Sequence, residues 1–175
     1  MLLVTTWQIC VPCDCHAEMF RLINNYPYDV MPAEYRANGI SFAYPENWHL
    51  EENEMSEGDL TVLLSSPGGA FWMVTISPAK TSPIELAIKA RNALQSEYDR
   101  VDHTPVERVI GKYKLVGYEM DFIYFDLVNT ALILSFSTDD RTFAIYWQSD
   151  DRQLDICEDV FEAITFTLLD RLSAA

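Results

Sequence analysis

The stretch that decides the fold covers residues 112–149, KYKLVGYEMDFIYFDLVNTALILSFSTDDRTFAIYWQS. Successive side chains of a strand point to opposite faces, so a half-buried strand alternates apolar with polar residues. Between Gly117 and Tyr124, one face takes Tyr118, Met120, Phe122 and Tyr124. The other takes Glu119 and Asp121, then turns apolar at Ile123 and Phe125. Leu132, Leu134 and Phe136 next alternate with Ile133, Ser135 and Ser137, and Phe143, Ile145 and Trp147 with Ala144, Tyr146 and Gln148. Asp139-Asp140 joins the last two strands, because Asp tolerates the left-handed backbone of a tight turn. Residues 127–130 are expected to turn the first pair, with Asn129 as the turn residue. Parallel neighbours need a long crossover, so short links predict an antiparallel meander.

The flanking chain supplies more strands and two helices. Residues 40–44 read as a strand turned by Pro45-Glu46-Asn47, and residues 48–50 begin another. Residues 51–59, EENEMSEGD, read as an acidic loop. Residues 60–66 and 71–77 form a hairpin around Pro67-Gly68-Gly69, where glycine supplies positive φ. Ser82-Pro83 opens a helix that runs to about Arg100, and residues 104–110 give a further strand. Ile84, Ala87, Ile88, Leu94, Tyr98 and Val101 share one helical face, into which Arg91 intrudes. A buried guanidinium needs a partner, and Glu119 or Asp121 is a candidate; the alternative is a head group that runs out to solvent. The last helix is expected over residues 151–165, with a stripe of Leu154, Cys157, Phe161, Ile164 and Leu168. The sum is an α+β fold: an antiparallel sheet of six or seven strands, a usual sheet size, flanked by helices.

Length and charge limit the functions. One hundred and seventy-five residues suit one domain, divided here into an extension (1–37) and a main domain (38–175). A chain of this size removes roughly 70% of its unfolded surface from water and needs no staples. The formal net charge is -15, and the twelve basic residues are dispersed. Such a chain is a poor ligand for nucleic acid or anionic membranes, and its acidic surface fits either solubility or a basic partner. No run approaches the ~20 apolar residues of a membrane span. The first residues lack a basic segment, and their apolar run breaks at Thr5, Thr6 and Gln8, so the expected location is cytoplasmic.

The order of elements then becomes informative. GISFAYPENW, a hairpin, a helix after Ser82-Pro83, a meander and a closing helix with DVFEAITFTL resemble the PsbP-like superfamily over residues 35–169. The marker is an apolar strand followed by Tyr44, Pro45 and Trp48; Thr165-Phe166 stands where Ser-Phe usually closes the last helix. The resemblance implies an α/β/α sandwich and, mostly, binding functions. It transfers no catalytic residues.

Chemical constellations are few. Cys10, Cys13, Cys15 and His16 are zinc-ligand types, and C-x-x-C is a half-site spacing, yet a structural site usually takes its second pair from a distant segment. Free thiols in a peripheral segment are the alternative. No G-x-S-x-G elbow supports a serine nucleophile, and His49 at a strand start reads as a rim residue. Asp139-Asp140 and Asp150-Asp151 are explained by a turn and a helix start. Gly68-Gly69 lacks the lysine and parallel β-α context of a phosphate loop. The leading expectation is therefore a non-enzymatic protein-binding or assembly module without a cofactor. It would use an exposed sheet face or the aromatic edge of Tyr26, Tyr28, Tyr35 and Trp48. The alternatives are a small-ligand binder with an aromatic pocket between sheet and helix, and a thiol or metal role for the cysteine cluster.

Overall fold

A computed structural model describes residues 31–54, 58–77 and 81–174. The elements are β1 (Pro32–Ala37), β2 (Ile40–Pro45), β3 (His49–Glu54), β4 (Leu60–Ser65), β5 (Phe71–Ser77), α1 (Pro83–Glu97), β6 (Val101–Ile110), β7 (Tyr113–Tyr124), β8 (Leu127–Ser137), β9 (Thr142–Asp150) and α2 (Asp151–Ala174). Strands β3 to β9 make one antiparallel sheet in the order β3-β4-β5-β9-β8-β7-β6. The meander β7-β8-β9 is as the alternation predicts. β9 then pairs with β5, so α1 carries the chain from β5 to the far edge at β6.

Alternation divides the two faces. Trp72, Leu134, Phe136, Ile145 and Trp147 point to one side, where Phe161, Ile164 and Leu168 of α2 and Phe42 of the β1–β2 hairpin cover them. Met120, Phe122, Ile133 and Tyr146 point to the other, where Ala87, Leu94 and Tyr98 of the α1 region cover them. One helix on each face of an antiparallel sheet is the expected α/β/α sandwich.

Several boundaries differ from expectation. α2 continues to Ala174 rather than stopping near residue 165, because Leu168 and Leu169 extend its buried stripe. Glu51 to Glu54 are not loop: they pair with Leu63 to Leu60 as the rest of β3. β3 is an edge strand, and its acidic side chains discourage pairing with another sheet. α1 ends at Glu97, where Tyr98 turns extended, so Val101 opens β6.

The division at 37/38 cuts a hairpin. Asn38 and Gly39 hold φ of 55° and 74°, the left-handed pair of a two-residue turn, and β1 pairs with β2 from Pro32↔Pro45 to Ala37↔Ile40. Residues 1–30 of the expected extension lie outside the described residues.

Buried polar groups join the layers. The indole N–H of Trp72, wholly buried on β5, donates to Thr165 Oγ1 of α2 at 3.0 Å. The Ala43 amide of β2 donates to Thr167 Oγ1 at 3.1 Å. The Trp72 and Phe42 rings lie 5.1 Å apart.

Two substitutions test this packing. Thr165→Val keeps the shape but leaves the indole N–H unpaired, and should cost about 1–3 kcal/mol in urea denaturation. Gly117→Ala should destabilise by about 3 kcal/mol or more, the upper end for overpacking, because a Cβ there would collide with the carbonyl of Ile133 on β8.

Candidate docking site at the β7–β8 turn

Residues 122–128, FIYFDLV, are apolar but for Asp126, and the sequence expectation puts the turn at residues 127–130, around Asn129. The structure puts it earlier. Tyr124 pairs with Leu127, so Phe125 and Asp126 are the turn, with φ of 48° and 62°. Asn129 is instead buried in β8, where its amide nitrogen donates to the Leu127 carbonyl at 3.2 Å. The reason is register: β7 and β8 align their inward residues only if the turn falls at Phe125-Asp126.

Asn38-Gly39 provides an internal comparison. The two turns have nearly the same backbone, but the first uses residues that tolerate positive φ and the second places phenylalanine there. A left-handed conformation costs an ordinary L-residue roughly 1–2 kcal/mol. The ring recovers little of this by burial, since Phe125 is 79% exposed. Ile123, Tyr124 and Val128 beside it are also exposed. Strain and apolar exposure therefore coincide at one tip, and their coincidence is a pointer to function.

The tip is anchored by aromatic contacts. Tyr98, just after α1, lies 4.3 Å from the Phe122 ring and 5.6 Å edge-on from Tyr124, and Tyr124 lies 4.3 Å from Phe125. Burial raises the Tyr98 hydroxyl above the ordinary phenol range, so it stays neutral.

Beside the tip is an open groove of about 310 Å³. Gly69, Phe71, Tyr124, Phe125 and Leu127 line it together with Asn129, Gln148, Ser149 and Asp150. It lies at the end of the α1-side face, between the β4–β5 and β7–β8 turns. A directed chain of hydrogen bonds runs along its polar side: Tyr146 Oη donates to Gln148 Oε1 (2.9 Å), and Gln148 Nε2 to Asn129 Oδ1 (3.4 Å). Burial pushes the Tyr146 hydroxyl far above the phenol range and keeps it a donor. At the groove end, Asp150 accepts from the Arg152 amide (3.0 Å) and from its guanidinium Nη2 (2.7 Å).

The Arg152 side chain, before any other cause, lowers the Asp150 carboxyl below its usual value. Its contribution to stability is thus present above the ordinary carboxylate pKa and is lost only as pH falls through the lower folded value. At neutral pH Asp150 is ionised, with its charge paired to the Arg152 guanidinium.

A second depression, of about 350 Å³, lies across β6 and β7 and is lined by Val101, Asp102, His103, Thr104, Glu119 and Asp121. Among the described residues no three histidine, cysteine or carboxylate groups converge as a metal site.

The residues singled out by sequence fall as follows. Tyr35 and Trp48 are buried in the core; Tyr35 stacks on Phe42 and Trp48 meets Phe161 edge-on. Their rings are spent on packing and offer no face to a partner, which corrects their placing in a docking edge. Tyr26, Tyr28, Cys10, Cys13, Cys15 and His16 lie outside the described residues. Cys157 is buried on α2, and His49 is exposed at the rim, 3.3 Å from Glu51. Arg91 is not paired with Glu119 or Asp121, which point to the opposite sheet face. Its guanidinium stands 4.7 Å over the Tyr118 ring and donates to Asn92 Oδ1. The aromatic groove lies at the sheet end, beyond the expected place between sheet and helix.

The sequence hides the tip because phenylalanine is not a turn residue, and the lone Asp126 is a weaker turn signal than Asn129. Phe125→Asn with Asp126→Gly should raise stability by about 1 kcal/mol in urea melts, by removing the left-handed strain. Arg91→Ala should cost less than about 1 kcal/mol, the value of an exposed cation–π contact.

No family model and no curated protein matches the chain. Solved structures match its fold. The solution structure of cyanobacterial PsbP (CyanoP) from Synechocystis sp. PCC 6803 is similar over 81% of this chain and 93% of its own, with 12% identity and a TM-score of 0.59. A crystal structure from Bacteroides thetaiotaomicron VPI-5482 is similar over 74% of this chain and 46% of its own, with 16% identity and a TM-score of 0.50. Likeness at such identities is likeness of fold, and it agrees with the resemblance carried by Tyr44, Pro45 and Trp48: the chain has the PsbP-like fold.

Proposed function

We propose that the protein is a non-enzymatic binding module that docks a basic protein through the β7–β8 tip. The observation that carries this reading is Phe125: a solvent-exposed aromatic ring held on a strained backbone, contiguous with exposed Ile123, Tyr124 and Val128. A rigid aromatic anchor gives large contact area at low entropic cost. Binding, rather than catalysis, is also what the superfamily resemblance implies.

The surroundings favour a basic partner. Glu97 and Asp99 flank Tyr98 in the chain, Asp126 sits in the turn, and Asp150, followed by Asp151, lines the groove. Arg100 and Arg152 are the neighbouring cations along the chain. A net charge of -15 opposes self-association and draws a positive surface. No helix among the described residues is long and apolar enough to cross a membrane.

The test has two steps. Affinity capture identifies a candidate partner, and the purified pair is then measured by titration calorimetry. Phe125→Ser should weaken that binary complex by at least about tenfold, as hot-spot aromatics do, with the fold unchanged by circular dichroism. An unaltered affinity would remove the tip from the interface, and failure of every captured protein to bind in the purified pair would refute the reading.

A further inference from the structure

The groove beside the tip has a chemistry more specific than apolar docking. Its aromatic side is Phe71, Tyr124 and Phe125; its polar side is Asn129, Gln148, Ser149 and Asp150. Asn129 is buried, whereas Phe125 is exposed, so its amide lies deep and the Phe125 ring lies at the mouth. None of the nine lining residues is cationic, and one is an aspartate.

We infer that this groove receives a cationic side chain, arginine or lysine, presented by the partner. The inference rests on the protein-binding reading and names what the partner brings. An aliphatic stem would lie against the rings, which attract cations through their negative faces. The head group would reach the carboxylate and amide oxygens. An anion would meet the Asp150 carboxylate, whose paired Arg152 is not among the lining residues. A wholly apolar group would strip water from the amides of Asn129 and Gln148 and return no hydrogen bond.

The bonds already made leave room for this. Gln148 Oε1 accepts from Tyr146 and Asn129 Oδ1 accepts from Gln148, so each amide oxygen keeps a second lone pair. The volume, about 310 Å³, lies at the low end for ligand sites, which suits a single side chain better than a cofactor.

Arg152 shows how such a head group is met. Its Nε and Nη2 approach Asp150 Oδ1 and Oδ2 at 3.3 and 2.7 Å, a two-pronged contact with this carboxylate. The Arg152 side chain is 63% exposed, while that of Asp150 is only 15% exposed. The carboxylate is thus fixed and its present partner is replaceable. An incoming guanidinium would share or displace Arg152, with no change in the backbone cap that Asp150 gives α2.

The probe is a seven-residue peptide with arginine at its centre, with twins carrying lysine, citrulline or norleucine there. Each is titrated into the isotope-labelled full chain and followed by amide NMR. Arginine and lysine peptides should shift the Gly69 backbone signal and the side-chain amides of Asn129 and Gln148. Citrulline, which has the shape of arginine without its charge, should need about tenfold more peptide, the usual worth of a charged hydrogen bond. Asp150→Asn keeps the helix cap and should abolish the preference for charge. Arg152→Gln should tighten binding several-fold, whereas Arg100→Gln, the same charge change away from the groove, should not.

Equal response to all four peptides, or shifts confined to the depression at Asp102 and Asp121, overturns the inference. If the groove stays silent while Phe125→Ser still breaks the purified complex, the cation site falls and the docking reading stands. If the groove takes arginine but Phe125→Ser leaves the complex intact, the docking reading falls and the cation site stands.

Discussion

The Trp72 indole is where the main sheet, α2 and the β1–β2 hairpin are locked together. It is wholly buried, its ring faces Phe42 of the β1–β2 hairpin, and its one polar atom donates to Thr165 on α2. A buried N–H without a partner is costly, so helix and sheet must keep the rotation that brings Thr165 to the indole. Thr167, half a turn further, holds the Ala43 amide in the same way. Two threonines that look misplaced on an apolar helix thus fix its phase against both sheets. With α2 so placed, its first residues lie at the sheet end that carries the β4–β5 and β7–β8 turns.

That end is where the molecule departs from local preference. Elsewhere each turn suits its residues: Asn38-Gly39 accepts a left-handed backbone, and Gly69 at φ 94° does the same. Phe125 accepts the strain and the exposure together. Aromatic contacts through Tyr124 and Tyr98 to Phe122 hold the strained tip against the α1-side core. The groove beside it is acidic, aromatic and preformed by hydrogen bonds that run outward from Tyr146. Preorganisation of this kind lowers the ordering cost of binding.

Much of the architecture is legible in the sequence. Period-two alternation across residues 112–149 gives the meander and both sheet faces, because the pleat leaves no other way to bury Phe122, Leu134 and Trp147. The stripe of Cys157, Phe161 and Ile164 gives α2. The Asn38-Gly39 pair carried the signature of the β1–β2 hairpin, although composition placed β1 in an extension. The functional end was far less legible. Tyr35 and Trp48 look like surface aromatics beside prolines, and only the hairpin folding over the sheet buries them. Phe125-Asp126 offers only the weak turn signal of its aspartate, and Asn129 offers a stronger one.

Sequence by itself determined the antiparallel sheet, the two covering helices, the acidic charge and the Tyr44, Pro45 and Trp48 marker, since periodicity, capping and charge are local properties. Only the tertiary structure decided the pairing of β5 with β9, the burial of Tyr35 and Trp48, and the place of the β7–β8 turn. Those depend on register, which is set by how whole faces match across strands rather than by the preference of any turn residue.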